Sequence, residues 1–367
     1  MGDNEPKAGL NRRQLMARSA LGTALASMPL LAAACGGDDG GGGGGGGGGG
    51  ESAGAGPFPQ TPRYKFVFVN HVTTNAFFVP TQYGATDASN FLNTDWQWTG
   101  SQKSVVAEMV DAMNSAISAK ADGIALADVD PDAFAGPVQR ALDAGIPVLT
   151  YNADGTLEKQ TDRLGYVGQD LFLSGQEMGN RIASIVDEGK VGLFIATPGQ
   201  ANIQPRIDGA VDAIKKSKKN IEYDIVATGA EVVEELSRVE SYYNGNRDVV
   251  GMFAVDQGST QGVSQVIQKN NLKGKVKGGG FDLVDVILQG IKAGNLDFTI
   301  DQQPYLQGFL PVFYLYLYKL SGGVTTPPNT NTGLAFVTKE NVDQYLQTKS
   351  RFEGDTKEYT GPPSTRS

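Results

Sequence analysis

Carboxylates and carboxamides recur in this sequence at one kind of place, directly after short apolar, β-branched runs. Phe66-Val67-Phe68-Val69 leads to Asn75, Ile124-Ala125-Leu126 to Asp128, and Val148-Leu149-Thr150-Tyr151 to Asn152 and Asp154. Later, Gly251-Met252-Phe253-Ala254-Val255 gives Asp256, Gly279-Gly280-Phe281 gives Asp282, and Phe298-Thr299-Ile300 gives Asp301, Gln302 and Gln303. These side chains offer hydrogen-bond acceptors and donors. A ring of them suits a molecule covered in hydroxyl groups, and aromatic rings would cover its C–H faces. Asn75-Ala76-Phe77-Phe78 supplies an amide and two rings just beyond the first strand, although the same two rings could staple a helix start.

Catalytic chemistry finds less support. His71 is the single histidine, so no Ser-His-Asp arrangement and no imidazole-based metal cluster can be assembled. Converging carboxylates leave acid–base catalysis as the enzymatic alternative, which turnover of a sugar by the purified protein would reveal. Gly278-Gly279-Gly280 and Gly258-Ser259-Thr260-Gln261-Gly262 lack the dinucleotide spacing and the phosphate-loop lysine. No enzyme activity, cofactor or metal is expected.

The elements that must position these residues alternate. Apolar strands followed by helical patterns imply a parallel sheet, and such sheets bind ligands at the carboxyl ends of their strands. The first clear helical stripe is Val105, Val106, Met109, Val110, Met113 and Ile117, between Lys103 and Lys120. Further helices are expected over 134–143, 171–187, 207–215, 236–243, 259–269, 284–292 and 306–320. Gly145, Gly189, Gly245, Gly294 and Gly322 sit where most of them stop. Further strands are expected over 192–197, 224–227 and 334–337. Roughly ten βα units exceed one ordinary doubly wound sheet, so two lobes are the economical reading. The apolar stretch 306–320 contains Pro311 and is short for a membrane span, which favours a buried helix.

The chain has 367 residues, 40% of them hydrophobic, enough for a substantial core. A formal charge of -9 and a pI near 4.8 argue against nucleic acid as a partner. Lys215-Lys216-Ser217-Lys218-Lys219 reads as a solvated helix end. The single cysteine, Cys35, follows the apolar segment from Ala20 to Ala34, which suits the central region of a signal peptide. Arg12-Arg13 ahead of it resembles a twin-arginine export signal. Leu31-Ala32-Ala33-Ala34-Cys35-Gly36 resembles a lipobox, with Leu31 one position early, so Cys35 is the expected lipidation site. Residues 1–35 are thus expected to be a leader, 36–63 a glycine-rich flexible tether and 351–367 a loose tail.

Thr73-Thr74-Asn75-Ala76-Phe77-Phe78, Ala121-Asp122-Gly123-Ile124, Ala144-Gly145-Ile146-Pro147-Val148, Tyr166-Val167-Gly168-Gln169-Asp170, Phe281-Asp282 and Gln302-Gln303-Pro304 occur in a telling order. The chain resembles the ribose-binding-like proteins, the sugar receptors of ATP-binding-cassette importers. The resemblance implies a type I periplasmic-binding-protein fold: α/β, with two Rossmann-like lobes built on parallel sheets and joined by a three-segment hinge. On that reading the first lobe takes residues 64–167 with 303–331, and the second takes 168–302 with 332–350. Asn75, Phe77 and Phe78 would contact ligand from the first lobe, with Asn152, Asp154 and Asp128 nearby. Arg206, Asp256, Asp282 and Gln302 would contact it from the second.

Two departures stand out. Val232 and Val233 occupy the place where many relatives carry an aromatic ring, so one sugar face would rely on Trp96 or Trp98. Strand alternation aims one of these indoles inward, and Trp98 is taken as that one. Ala153 replaces the arginine that ribose receptors tend to have, which counts against ribose itself. Around the cleft Asp128, Asp154, Asp256 and Asp282 face one cation, Arg206, so an anionic sugar would be repelled. The expected protein is a monomeric, extracytoplasmic, lipid-anchored receptor. It would capture a neutral monosaccharide or polyol by hinge closure and hand it to an importer permease in the membrane. The alternative is a sensory subunit for a sugar or a furanosyl signal that presents its closed form to a signalling protein.

Overall fold

The computed structural model describes residues 61–155 and 159–347; the leader, Cys35, the tether and the tail lie outside them. Apolar runs buried along their whole length, instead of alternating, form the middle of two sheets, as strands covered on both faces by helices must. In the first sheet these strands are β1 (Lys65–Asn70), β3 (Gly123–Leu126) and β4 (Val148–Tyr151). They are flanked by β2 (Asp95–Gly100), β5 (Tyr166–Gly168) and a short β11 (Thr330–Asn331), in the order β11-β5-β4-β3-β1-β2, and every neighbouring pair is parallel.

The second sheet repeats the plan. It comprises β6 (Glu188–Ile195), β7 (Asn220–Ala227), β8 (Gly251–Ala254), β9 (Lys277–Phe281), β10 (Phe298–Asp301) and β12 (Ala335–Val337), ordered β12-β10-β9-β8-β6-β7. Only the β10–β12 pair is antiparallel. The chain passes between sheets three times, after Gly168, Asp301 and Asn331. Strand order reverses between β1 and β3 in one sheet and between β6 and β8 in the other, the switch points at which such sheets accept ligands. The α/β two-lobe fold with a three-segment connection is therefore present.

Ten helices cover the sheets among the described residues: α1 (Val79–Leu92), α2 (Val106–Ser118), α3 (Pro131–Asp143), α4 (Leu171–Ile185), α5 (Gln204–Ser217), α6 (Val232–Gly245), α7 (Gln257–Lys269), α8 (Asp285–Ala293), α9 (Leu306–Leu320) and α10 (Val342–Gln347). None is long and apolar enough to cross a membrane. Beyond a helix start at Phe77 and Phe78, the helix α1 was not expected from the pattern, because between Pro80 and Leu92 its buried side consists of Thr81, Gly84, Ala85, Ala88 and Ser89 in place of a large apolar stripe. That composition serves contact with α9. A Cβ on Gly84 would stand 2.1 Å from the carbonyl oxygen of Tyr305, and one on Gly308 would stand 1.8 Å from that of Thr81. The two backbones therefore meet with only glycine between them. Gly245 also departs from expectation: it is the last residue of α6, and Asn246 at φ -138° ends the helix, whereas Gly294 at φ 78° terminates α8 in the left-handed conformation.

In the first lobe, Phe66, Phe68, Met109, Met113, Phe134 and Tyr151 lie within one fully buried cluster. The second sheet separates two clusters, one around Phe253 and Phe298 and the other around Phe194, Met252 and Ile287. Adjacent Met252 and Phe253 falling on opposite faces is the period-two geometry of a strand.

Candidate functional site

Segments that follow the carboxyl ends of the strands in one lobe touch their counterparts in the other. Ala201 N–H donates to the Val129 carbonyl at 2.9 Å, the Ser104 hydroxyl donates to Gln200 Oε1 at 2.9 Å, and His71 Nε2 meets Asn202 Nδ2 at 3.2 Å. An exposed ion pair, Lys103 with Glu231 at 2.8 Å, joins them. The two sets of strand ends thus face each other across a closed gap.

On the first-lobe side Asn75 caps the turn Ala76–Phe78 by accepting from Phe77 N–H at 2.9 Å. The rings of Phe77 and Phe78 meet edge to face at 4.7 Å, and Phe78 also lies 5.3 Å from His71 and 5.8 Å from Trp98. The two phenylalanines thus stand at a helix start, since the turn runs directly into α1. Trp98 is fixed by its indole N–H, which donates to the Thr73 carbonyl at 3.1 Å. The expectation that only one indole faces inward is corrected: residues two apart share a strand face. Trp96 and Trp98 lie 6.2 Å apart, and both pack on Phe68.

Asp128 is wholly buried. One carboxyl oxygen accepts from the Thr161 hydroxyl at 3.3 Å and the other, Oδ1, has no partner. Burial, reinforced by the nearby charge of Asp154, pushes this carboxyl up to about 7. Asn152 adopts φ 60° and donates from Nδ2 to Gln307 Oε1 at 3.0 Å. Asp154 is not an open acceptor facing Arg206: Arg163 grips both of its oxygens, and the pair is buried, with side chains 7% and 8% exposed. Counting Arg206 as the sole cation around the cleft therefore missed Arg163, which lies in the segment before β5 and carried no strand-end signal.

On the second-lobe side Arg206 enters from the first turn of α5. That turn is pressed onto α4 at Gly175, where a Cβ would stand 2.1 Å from the Arg206 carbonyl. The guanidinium lies over the Phe281 ring at 4.2 Å and donates to the Val255 carbonyl and to Gln169 Oε1, each at 2.9 Å, leaving Nε unpartnered. Asp256 caps α7, its oxygens accepting from Ser259 N–H at 2.8 Å and Ala196 N–H at 3.0 Å. Asp282 takes φ 80° and accepts from Gln302 Nε2 at 2.7 Å; burial, opposed by Arg206, raises its carboxyl to about 7. Gln302 in turn accepts at its backbone carbonyl from Gln307 Nε2 at 3.0 Å and from the Thr332 hydroxyl at 2.7 Å.

Asn152, Gln307, Gln302 and Asp282 therefore form one hydrogen-bonded chain. It runs from the end of β4 to the end of β9, across the strands that connect the lobes. Gln169, in another crossing, donates to the Gly333 carbonyl in the third at 3.1 Å.

Nine buried polar side-chain atoms of the described residues lack a partner. Three, on Ser89, Thr94 and Arg181, lie outside the segments that follow the facing strand ends. The other six are His71 Nδ1, Asp128 Oδ1, Asn202 Oδ1, Arg206 Nε, Glu235 Oε2 and Gln257 Oε1, all in those segments or the helix turns they enter. Burying such groups is costly unless something bonds to them. Of these six residues the sequence pointed only to Asp128 and Arg206. Charged or amide positions early in a helix, such as Glu235, read as solvated surface until the fold encloses them. Among the described residues no group of three or more His, Cys, Asp or Glu side chains is placed to hold a metal ion.

A family description, periplasmic binding protein domain, matches residues 66–322. The xylose/arabinose-binding protein XylF of Sulfolobus acidocaldarius is 50% identical over 325 residues, covering 85% of this chain and 80% of that protein. An ABC transporter solute-binding protein from Burkholderia graminis, solved in complex with D-arabinose, is similar with a TM-score of 0.71 at 26% identity, over 78% of this chain and 99% of its own. A carbohydrate transporter protein from Acidothermus cellulolyticus, in complex with myo-inositol, gives 0.69 at 25% identity, over 78% of this chain and 98% of its own.

Proposed function

The chain belongs to the periplasmic binding protein domain family, and on that premise we propose that it captures a neutral monosaccharide or polyol outside the cytoplasm and delivers it to an ATP-binding-cassette importer. The observation that carries this reading is the set of partnerless polar atoms contributed by both lobes to the gap between them. Hydroxyl groups, each able to donate and accept, are the guest that satisfies such a mixed set.

Xylose and arabinose are the first candidates, given the half-identical relative named for them. Asp128 and Arg206 contact the sugar directly through their free atoms. Asp282 and Gln302 present an acceptor and an amide held in place by the polar chain, and Asn152 and Asp256 border them. Asn75 shapes the rim, Phe77, Phe78 and Trp98 form its aromatic wall, and Asp154 supports the site through Arg163. Excess acidic charge in the gap disfavours sugar acids and sugar phosphates.

Closure works by rotation of the lobes about the three crossings, with ligand joining the two sets of strand ends. Arg12-Arg13 and Cys35, outside the described residues, support export and a lipid anchor for this receptor. Thermal-shift and calorimetric screening against neutral pentoses, hexoses and polyols tests the proposal. A sugar at a thousandfold its dissociation constant adds about 4 kcal/mol of stability, and silence from folded protein across the whole panel would refute it.

A further inference from the structure

Glu235 is absent from the ligand set read off the sequence, yet the fold buries it to 3% exposure while Val233, two positions earlier on α6, stays 80% exposed. Its carboxyl lies directly over Gly258, where a Cβ would stand 1.4 Å from Oε2. The acid is fitted into a notch that only glycine leaves. Its Oε2 has no donor beside it, and the carboxyl lies within hydrogen-bonding reach of the Asp256 carboxylate. Two carboxylates cannot share a hydrogen bond unless one carries a proton. Asp256 accepts backbone N–H groups at both oxygens and is the natural anion, so the proton belongs to Glu235. The charged groups around the pair are Glu234 on the same helix, Asp282 at the end of β9, and Arg206 of α5, of which only Arg206 is positive.

We propose that Glu235 is a further ligand-binding residue that works as a neutral acid, one oxygen joined through its proton to Asp256 and the other accepting from a sugar hydroxyl. The device gives the gap a hydrogen-bonding group without adding a charge, and it suits a neutral guest. Burial and the neighbouring carboxylates hold Glu235 well above the ordinary glutamate range, which keeps it protonated at neutral pH.

The inference rests on the sugar reading above, and titration calorimetry of the full chain with D-xylose and L-arabinose separates the two. Glu235→Ala should weaken binding about tenfold or more, the consequence of leaving a buried partner unsatisfied. Glu235→Gln, which keeps a donor for Asp256 and an acceptor for the sugar, should recover most of that loss. Raising pH from about 7 to about 10 should weaken the wild type far more than Glu235→Gln. Unchanged affinity in Glu235→Ala, or a Gln variant as weak as the Ala variant, overturns the inference. A folded wild type that takes neither pentose nor any other neutral sugar defeats the sugar reading instead. Melting then judges the proton: the wild type should lose stability over that pH range while Glu235→Gln does not, and equal losses overturn the assignment.

Discussion

At the scale of single residues, the gap is lined by acids held away from their ordinary protonation behaviour. Asp282 is bonded to Gln302 and faces Arg206, and in the proposed site it is an acceptor for the guest. Asp282→Ala should reduce sugar affinity by about ten- to a hundredfold, as charge-assisted hydrogen bonds are worth roughly 1.5–3 kcal/mol. A melting curve within a few degrees of wild type would show that folding survives, and unchanged affinity would remove Asp282 from the site. Asp128 makes a linked prediction about pH. Its folded-state value of about 7 stands above the ordinary carboxylate value of 3.8, so its stability contribution is fully present below about pH 4 and is lost as pH rises through 7. Asp128→Asn should therefore melt higher than wild type at pH 8 and show no such gain at pH 4, while binding sugar more weakly. Stabilisation bought by losing function is the usual signature of a site residue. A lower melting temperature at pH 8 would show that the buried charge is compensated in some other way.

At the scale of elements, close helix pairing positions the site. The α1–α9 contact holds the turn that carries Asn75, Phe77 and Phe78, and the α4–α5 contact holds Arg206. Both depend on backbone meeting backbone at glycine. Gly308→Ala should destabilise the protein by about 1–3 kcal/mol, the cost of overpacking. Gly136→Ala, in an exposed stretch of α3 where the nearest atom is the flexible Arg140 guanidinium at 3.3 Å, should be neutral or stabilising by up to about 1 kcal/mol. Chemical denaturation of the two variants side by side measures the contrast, and equal effects would mean that the helices can separate without loss.

At the scale of the whole molecule, four contacts among the described residues tie one lobe to the other besides the chain crossings. The exposed Lys103–Glu231 pair should contribute little, whereas the His71–Asn202 contact is partly buried and adjoins the aromatic wall. Asn202→Ala should raise the dissociation constant about three- to tenfold, matching the loss of one hydrogen bond, and should act mainly through faster release. Stopped-flow fluorescence from the two tryptophans would measure this, and an unchanged release rate would show that these contacts do not hold the closed form.

Much of this protein was legible in its residues taken alone. Runs such as Phe66-Val67-Phe68-Val69 and Ile124-Ala125-Leu126 are apolar along their whole length, as strands buried on both faces require, and that pattern sufficed for parallel sheets with polar groups at the strand ends. The helix over 306–320 was legible for the same reason of composition, and its two limits coincide with α9. Helix α1 was not, because a helix that packs through Gly84 and Ala88 carries no large apolar stripe. What each strand-end residue does was also out of reach of the sequence. Asp154 and Asp282 follow similar runs, yet one is gripped by Arg163 and the other faces Arg206. Glu235 looks like any solvent-facing helix acid until Gly258 and Asp256 close over it. Local order sets which segments become strands and helices, since that depends on neighbours along the chain. The protonation and pairing of a side chain depend on which distant groups share its low-dielectric surroundings, and only the tertiary fold determines that.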